Sequence, residues 1–464
     1  MAEVREFDVV VVGAGPAGEV CAGRLAEGGL SVALVERELV GGECSFYACM
    51  PSKALLRPAQ ALAEARRVPG AAEAASGELD VAAVLRRRDQ VIHDLDDSAH
   101  MPWLEDRSIT LIRGHASLVG KRVVKIGEEL LNARRAVVLA PGSAAAIPSI
   151  PGLAEADPWT NRQVTTAAAI PSSLIVLGGG VVGVEMAQAY ASLGARVTIV
   201  EALERLVASE EVFASEQVRE ALLEHGVEVV LGVKATAVRR DHNGDSRGPV
   251  TVELEGGRSF TAAELLAAVG RRPRTDDLGL ESIGLTPGEL VEVDATLRVP
   301  GHDWLYVVGD ANGRVLLTHM GKYQARVAGE HILGRPGGDA MLHSDGRLAP
   351  RVIFTEPQIA AVGHTLASAT QAGLNVRAVD QPVGGNAGGS FVGHDAPGTV
   401  RLVVDEDRRV LVGATFTGVE VAESLHAATI AVIGEVTLER LWHAVPCFPT
   451  RSEVWLRLLE AYGL

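Results

Sequence analysis

The chain has only four cysteines in 464 residues, aromatic residues make up 4% of it, and it contains no long hydrophobic run. Each shortage excludes something. So few thiols cannot form a disulfide scaffold in a chain this size, so any closely spaced pair is expected to be redox-active or metal-binding, not a structural staple. No stretch reaches the roughly 18 apolar residues of a membrane span. The first residues, Met1 to Phe7, run into a strand without a signal-peptide pattern, so a cytoplasmic location is expected. Positive charge is in deficit as well. A formal net charge of −16 argues against nucleic-acid or anionic-membrane partners. Apolar residues at 47% and charged residues at 22% give an ordinary globular balance, and the length suits about three domains.

The apolar run Phe7 to Val12 ends in Gly13-Ala14-Gly15-Pro16-Ala17-Gly18, a helical stretch follows, and the strand Ser31 to Val35 ends at Glu36. This is the βαβ unit of a dinucleotide site. Its glycines allow a tight turn and close approach of the backbone to a pyrophosphate, and the helix N-terminus offers free N–H groups to the same anion. Glu36 is placed to accept ribose hydroxyl protons. The unit recurs with Gly178, Gly180 and Gly183 after the strand Leu174 to Leu177, and with Glu201 after the strand Ala195 to Val200. The offset from first glycine to terminal acid is the same in both. Two units predict two bound nucleotides.

Directly after the first unit comes Gly41-Gly42-Glu43-Cys44-Ser45-Phe46-Tyr47-Ala48-Cys49-Met50-Pro51-Ser52-Lys53. Residues five apart in a regular helix are separated by about 7.5 Å of rise, whereas disulfide Cα atoms lie roughly 4.4–6.8 Å apart. Cys44 and Cys49 therefore pair only if a helix is distorted or begins between them, and Pro51 disfavours a regular continuation. A helical, charged stretch is expected from about Pro58 to Trp103, with Arg86-Arg87-Arg88 as a solvated face. Short β segments follow to Ala140. Crossings are expected near Ile147–Pro158 and Gly270–Pro273, and the Gly-rich, polar stretch Gly334 to Asp345 reads as a linker.

These motifs, with Phe354-Thr355-Glu356-Pro357 and Pro449-Thr450-Arg451-Ser452-Glu453, resemble the class I pyridine nucleotide–disulfide oxidoreductases over nearly the whole chain. That family includes dihydrolipoamide dehydrogenase, glutathione reductase and mercuric reductase. The resemblance implies an α/β fold with two Rossmann-like domains and a C-terminal α+β dimerisation domain. The implied divisions are 1–148 for FAD, 149–269 for NAD(P), 270–340 returning to the FAD domain and 345–464 for dimerisation. It implies FAD on the first unit and NAD(H) on the second, NADP(H) being disfavoured by Glu201 although Arg205 lies nearby. It gives Cys49 the flavin-side thiolate and Cys44 the interchange role. Lys53 and Glu185 become an ion pair beside flavin N5, Asp310 a ribitol contact and Thr318 a neighbour of the isoalloxazine. Ala116, Ser143 and Gly270 also fall on cofactor-binding positions. No metal is expected. The protein is expected to be a homodimer whose two sites each draw residues from both subunits.

Two departures bear on the reaction. Disulfide-reducing members carry His-Pro-Thr-x-x-Glu near the C-terminus, with the histidine shuttling protons and the glutamate orienting it; here the residues are Phe448 to Glu453. A phenyl ring carries no proton, and acid–base catalysis typically contributes about 10²–10⁴-fold. His443 is expected to be an ordinary histidine, Cys447 a small buried thiol, and Glu453 a cap or ion-pair partner. The second departure is Phe46-Tyr47 between the cysteines, which serves either as core packing or as a flat wall for a planar acceptor. The C-terminus lacks the cysteine pair of mercuric reductases, ending Leu459 to Leu464. The reading is therefore an FAD-dependent NAD(P)H oxidoreductase passing electrons through Cys44–Cys49 or directly to a quinone-like acceptor. The alternatives are a dihydrolipoamide-type enzyme and a flavin-binding subunit without turnover.

Overall fold

A computed structural model describes residues 4–243, 246–335, 341–394, 396 and 398–464. Met1 to Glu3 and residues 336–340, within the stretch read as a linker, lie outside the described residues. Two compact units form: Met1–Pro51, Asp89–Ala145 and Arg271–Gly346 make one, and Ser52–Arg88, Ala146–Gly270 and Arg347–Leu464 the other.

In the first unit the strand Val4–Val12 lies between Val32–Glu36 and Glu129–Leu139, parallel to both. The strand Leu305–Val307 adds beyond Glu129–Leu139, also in parallel. Val9, Val10 and Val11 are fully buried; an unbroken run of valines suits a central parallel strand covered on both faces. The helices Pro16–Glu27 and Thr318–Leu333 pack closely. A Cβ on Gly321 would stand 3.3 Å from that of Ala17, so only small residues permit the approach.

The second unit holds a parallel sheet ordered Glu228–Val230, Arg196–Val200, Ser173–Leu177, Glu264–Ala267, and a three-stranded antiparallel sheet. It also holds a five-stranded antiparallel sheet covered by the helices Leu425–Ile433 and Val454–Tyr462. Buried carboxylates tie these parts together. Glu210 accepts both Arg351 nitrogens at 2.7 and 2.9 Å, and Glu211 accepts Arg401 at 2.9 Å and the Leu366 N–H. Bidentate arginine pairing satisfies charges that would otherwise be costly to bury.

The arginine run departs from expectation. Arg86 and Arg87 are exposed, but Arg88 is 2% exposed and donates to the Thr165 and Ala167 carbonyls. The helical periodicity turns every third or fourth residue inward, and Arg88 falls on that side, where the end of helix Asn161–Thr166 leaves carbonyls free. The helical stretch also starts earlier than expected, at Cys49, and pauses between the helices Cys49–Arg67 and Val81–Val91.

Candidate active site

The two glycine loops have the same construction. Gly13 and Gly178 adopt φ +98° and +105°, and a Cβ there would strike the carbonyl of Ala140 or Ala268. A Cβ on Gly18 or Gly183 would lie 1.8 or 1.9 Å from the carbonyl oxygen of Gly13 or Gly178. The middle glycines differ in kind. Gly15 and Gly180 have ordinary φ of −71° and −77°, and no atom lies within 4 Å of where their Cβ would stand. Nothing inside the protein demands glycine at these two positions. The open space at each helix start is what a pyrophosphate lying against bare backbone needs. The terminal acids are fixed alike. Glu36 accepts the Ala14 N–H at 2.7 Å and the Glu38 N–H at 2.7 Å. Glu201 accepts the Gly179 N–H, and the Leu203 N–H at 2.7 Å. Both loops fit a dinucleotide.

The cysteines sit across a helix break. The short helix Gly42–Phe46 carries Cys44 and is capped at Tyr47, and a new helix, Cys49–Arg67, starts at the second thiol. This is the geometry that the spacing argument required. Pro51 falls in the first turn of the new helix, where its missing N–H costs nothing. The two thiols are not joined in a disulfide and act directly on each other. The Thr318 hydroxyl lies 3.4 Å from the Cys49 sulfur, close enough to act on the Cys44 thiol as well. The Cys49 contact and burial push the Cys44 thiol well above its ordinary range, opposed by Thr318 and by the charge of Lys322. Cys49 stands at the positive end of its helix, which favours a thiolate. Cys21, by contrast, is fully buried and pushed up to about 12 by desolvation alone, an inert core thiol.

Beside Cys44, Glu43 pairs with Arg274 at 2.9 Å and Arg271 at 3.9 Å. Arg271 donates to the Ser143 hydroxyl at 2.6 Å and carbonyl at 2.8 Å, and the Ser143 hydroxyl donates to Asp310. Three motifs distant in sequence thus join one polar chain, which fixes the Asp310 carboxylate. The arginines in it were not singled out from the sequence; two cations following Gly270 were the available signal. Ala116 is buried at the start of strand Ala116–Gly120. Gly270 has φ +141° and accepts the Ala146 N–H at 2.9 Å.

In the second unit, Lys53 Nζ lies 2.9 Å from Glu185 and 4.5 Å from the centroid of the Phe354 ring. Glu185, 3% exposed, also accepts the Phe354 N–H at 2.9 Å. One turn further on, Gln188 pairs with the backbone of Glu356 through both its amide atoms. Helix Val181–Ser192 thereby clamps Phe354–Glu356 and fixes both the partner and the ceiling of the Lys53 ammonium.

Two expectations at the departures need correction. Cys447 is exposed, not buried, because the segment around it leaves the fold: Val445 is 82% and Phe448 76% exposed. Among the described residues Glu453 neither caps nor pairs. It occupies the N-cap of helix Val454–Tyr462 without a side-chain bond, and its buried Oε2 has no partner among the described residues. Phe46 is 1% exposed and packs near His100, so it is core, leaving Tyr47 as the half-buried ring of the pair. His443 is an exposed helix-end residue, as expected.

Fold and loops together define a flavoprotein oxidoreductase class with two dinucleotide sites on one chain. Residues 7–325 match the pyridine nucleotide-disulphide oxidoreductase family and residues 349–458 its dimerisation domain. The chain belongs to that family, and it is an FAD- and NAD(P)H-dependent enzyme of it. It is 30% identical to a dihydrolipoyl dehydrogenase of Chlamydia muridarum, over 97% of this chain and 95% of that one. It is 29% identical to a mercuric reductase of Staphylococcus aureus, over 97% of this chain and 81% of that one. Among solved structures, LpdA from Mycobacterium tuberculosis shares the fold at a TM-score of 0.85 and 24% identity, covering 99% of this chain and all of that one. No helix among the described residues is long and apolar enough to cross a membrane.

Proposed function

We propose that this enzyme moves two electrons from NADH through FAD to the Cys44–Cys49 pair, or directly to a planar, quinone-like acceptor. The observation that carries the reading is the dithiol itself: two thiols in mutual contact across a helix break, with the Thr318 hydroxyl 3.4 Å from the second sulfur. When bound, FAD supplies hydride acceptance from the nicotinamide and two-electron delivery to sulfur. The protein's part is to hold the loops, the Asp310 carboxylate and the Lys53–Glu185 charge pair in place for it. We assign Gly13, Gly15, Gly18, Glu36, Ala116, Ser143, Asp310 and Thr318 to FAD, and Gly178, Gly180, Gly183, Glu201 and Gly270 to the nicotinamide nucleotide.

The acceptor follows from position 448. An exposed phenyl ring stands where a proton shuttle is expected, and Ile430, Trp442, Val445 and Phe391 expose further apolar surface on the same domain. Such a surface supports a homodimer, in which Phe448 faces the partner's site as an aromatic wall. The dihydrolipoyl dehydrogenase relatives favour a second reading, dihydrolipoamide oxidation, which needs a base that position 448 does not provide. Anaerobic titration with NADH tests the first step. A long-wavelength charge-transfer band shows that electrons reach Cys49, whereas bleaching without it shows the cysteines bypassed. Brisk quinone reduction without dihydrolipoamide turnover supports the planar acceptor; the reverse supports the second reading. A cycling dithiol also suits a reducing, cytoplasmic compartment.

For the nucleotide, the Glu201 carboxylate repels a 2′-phosphate. Arg205 gives no compensation, since its guanidinium is committed to the Ala208 carbonyl and the Ser215 hydroxyl at 2.8 and 3.0 Å. Steady-state kinetics of Glu201→Ala are expected to show the NADH-over-NADPH preference narrowed by about tenfold or more. The glycine roles separate in a second test. Gly180→Ala is expected to leave thermal stability within about 3 °C while weakening NADH binding about tenfold or more. Gly183→Ala, which collides with Gly178, is expected to lower both.

A further inference from the structure

The loss of a histidine at 448 leaves Cys44 without a cation from that position, yet one stands nearby in the same subunit. Thr318 opens the helix Thr318–Leu333, lies 3.4 Å from the Cys49 sulfur and acts on Cys44. Lys322 lies one turn further along, on the same side. It is exposed and makes no ion pair or hydrogen bond among the described residues. Its neighbour Gly321 packs against Ala17, which places Lys322 beside the first turn of helix Pro16–Glu27. There its charge acts on Glu19, which is held by His100 at 2.8 Å, as well as on Cys44. The carboxylate next to Cys44 in sequence, Glu43, is offset by Arg274 and Arg271.

We propose that Lys322 supplies, in cis, the positive charge that stabilises the Cys44 thiolate when the Cys44–Cys49 disulfide is reduced. It would replace the electrostatic part of the missing histidine's work but not its proton shuttling. Reduction of the disulfide by two electrons and one proton breaks the S–S bond and leaves one thiol and one thiolate. An ammonium near Cys44 raises the share of thiolate on the outward sulfur, where an acceptor is met, against the Cys49 contact and burial that hold it as a thiol. Lys322 acts through Cys44 and is a positioning residue in this sense. The inference rests on the dithiol reading above, but its test does not depend on electrons arriving from NADH.

The test uses the full-length holoenzyme reduced with dithiothreitol. The rate at which iodoacetamide alkylates Cys44, resolved from Cys21, Cys49 and Cys447 by peptide mass, is followed against pH. Lys322→Gln is expected to move the Cys44 profile to higher pH and slow alkylation at neutral pH by roughly threefold to tenfold. Lys322→Arg is expected to restore it. In the wild type, molar salt should reproduce the shift by screening, with little further effect on the Gln variant. A Gln profile superimposed on the wild type overturns the proposal. So does an equal shift in the Arg variant, since charge would then not be the agent. If NADH fails to reduce the disulfide while the alkylation profiles behave as expected, the functional reading falls and this inference stands.

Discussion

Replacing Cys49 with serine is expected to abolish turnover through the dithiol, by at least about 10³-fold, while NADH still reduces the flavin at a rate within about tenfold of the wild type. Serine keeps the hydrogen bond to Thr318, which lies 3.4 Å from the sulfur, but forms neither a disulfide nor a thiolate at neutral pH. The charge-transfer band should vanish with it. Cys44→Ser should do the opposite, leaving Cys49 as a lone sulfur at the start of helix Cys49–Arg67 and the band present without added reductant. Stopped-flow absorbance of both variants separates the steps. If quinone reduction survives in Cys49→Ser, electrons leave directly from the flavin; if it is lost as well, the dithiol is an obligatory carrier. A wild-type dithiol rate in Cys49→Ser would remove the cysteines from the mechanism.

Glu185→Leu is expected to slow reduction of the flavin by NADH about 10²-fold, the scale of a lost preorganised electrostatic contact. Its carboxylate is nearly buried and serves two donors, Lys53 Nζ and the Phe354 N–H, both at 2.9 Å. Removing it strands both. Breaking a fully buried pair costs about 3–5 kcal/mol; the Lys53 side chain here is 35% exposed and can be rehydrated, so about 2 kcal/mol is expected in denaturant unfolding. Glu185→Gln retains an acceptor without the charge. It should recover most of the stability and little of the rate. Equal recovery of both would mean that the pair is structural.

The two nucleotide cradles were legible in the sequence because their chemistry is local. A turn with positive φ at Gly13 and Gly178 and a helix that packs on its own turn at Gly18 and Gly183 are decided within a few residues. The helix break between Cys44 and Cys49 was legible for the same reason, as five residues of helix cannot bring two sulfurs together. Burial was less so. Phe46 and Tyr47 are adjacent aromatics, yet only the first is core, because a break at Tyr47 turns the second away from the helix face that packs near His100. Cys447 carries no local mark that separates a buried thiol from an exposed one.

By itself the sequence determined the family, both dinucleotide loops, the acids that close them and the loss of a proton carrier at 448. Each depends on residue type at fixed spacing, and spacing fixes geometry wherever the backbone closes on itself within one supersecondary unit. Only the tertiary structure decided which charges are committed and which are free. Arg88 turned inward to carbonyls, Arg205 was taken up by its own loop, and Arg271 joined Ser143 to Glu43 near Asp310. Among the described residues Lys322 was left unpaired, one turn from the residue that lies 3.4 Å from the Cys49 sulfur. Long, flexible cations meet partners far away in sequence, and those meetings are set by packing that no local pattern encodes.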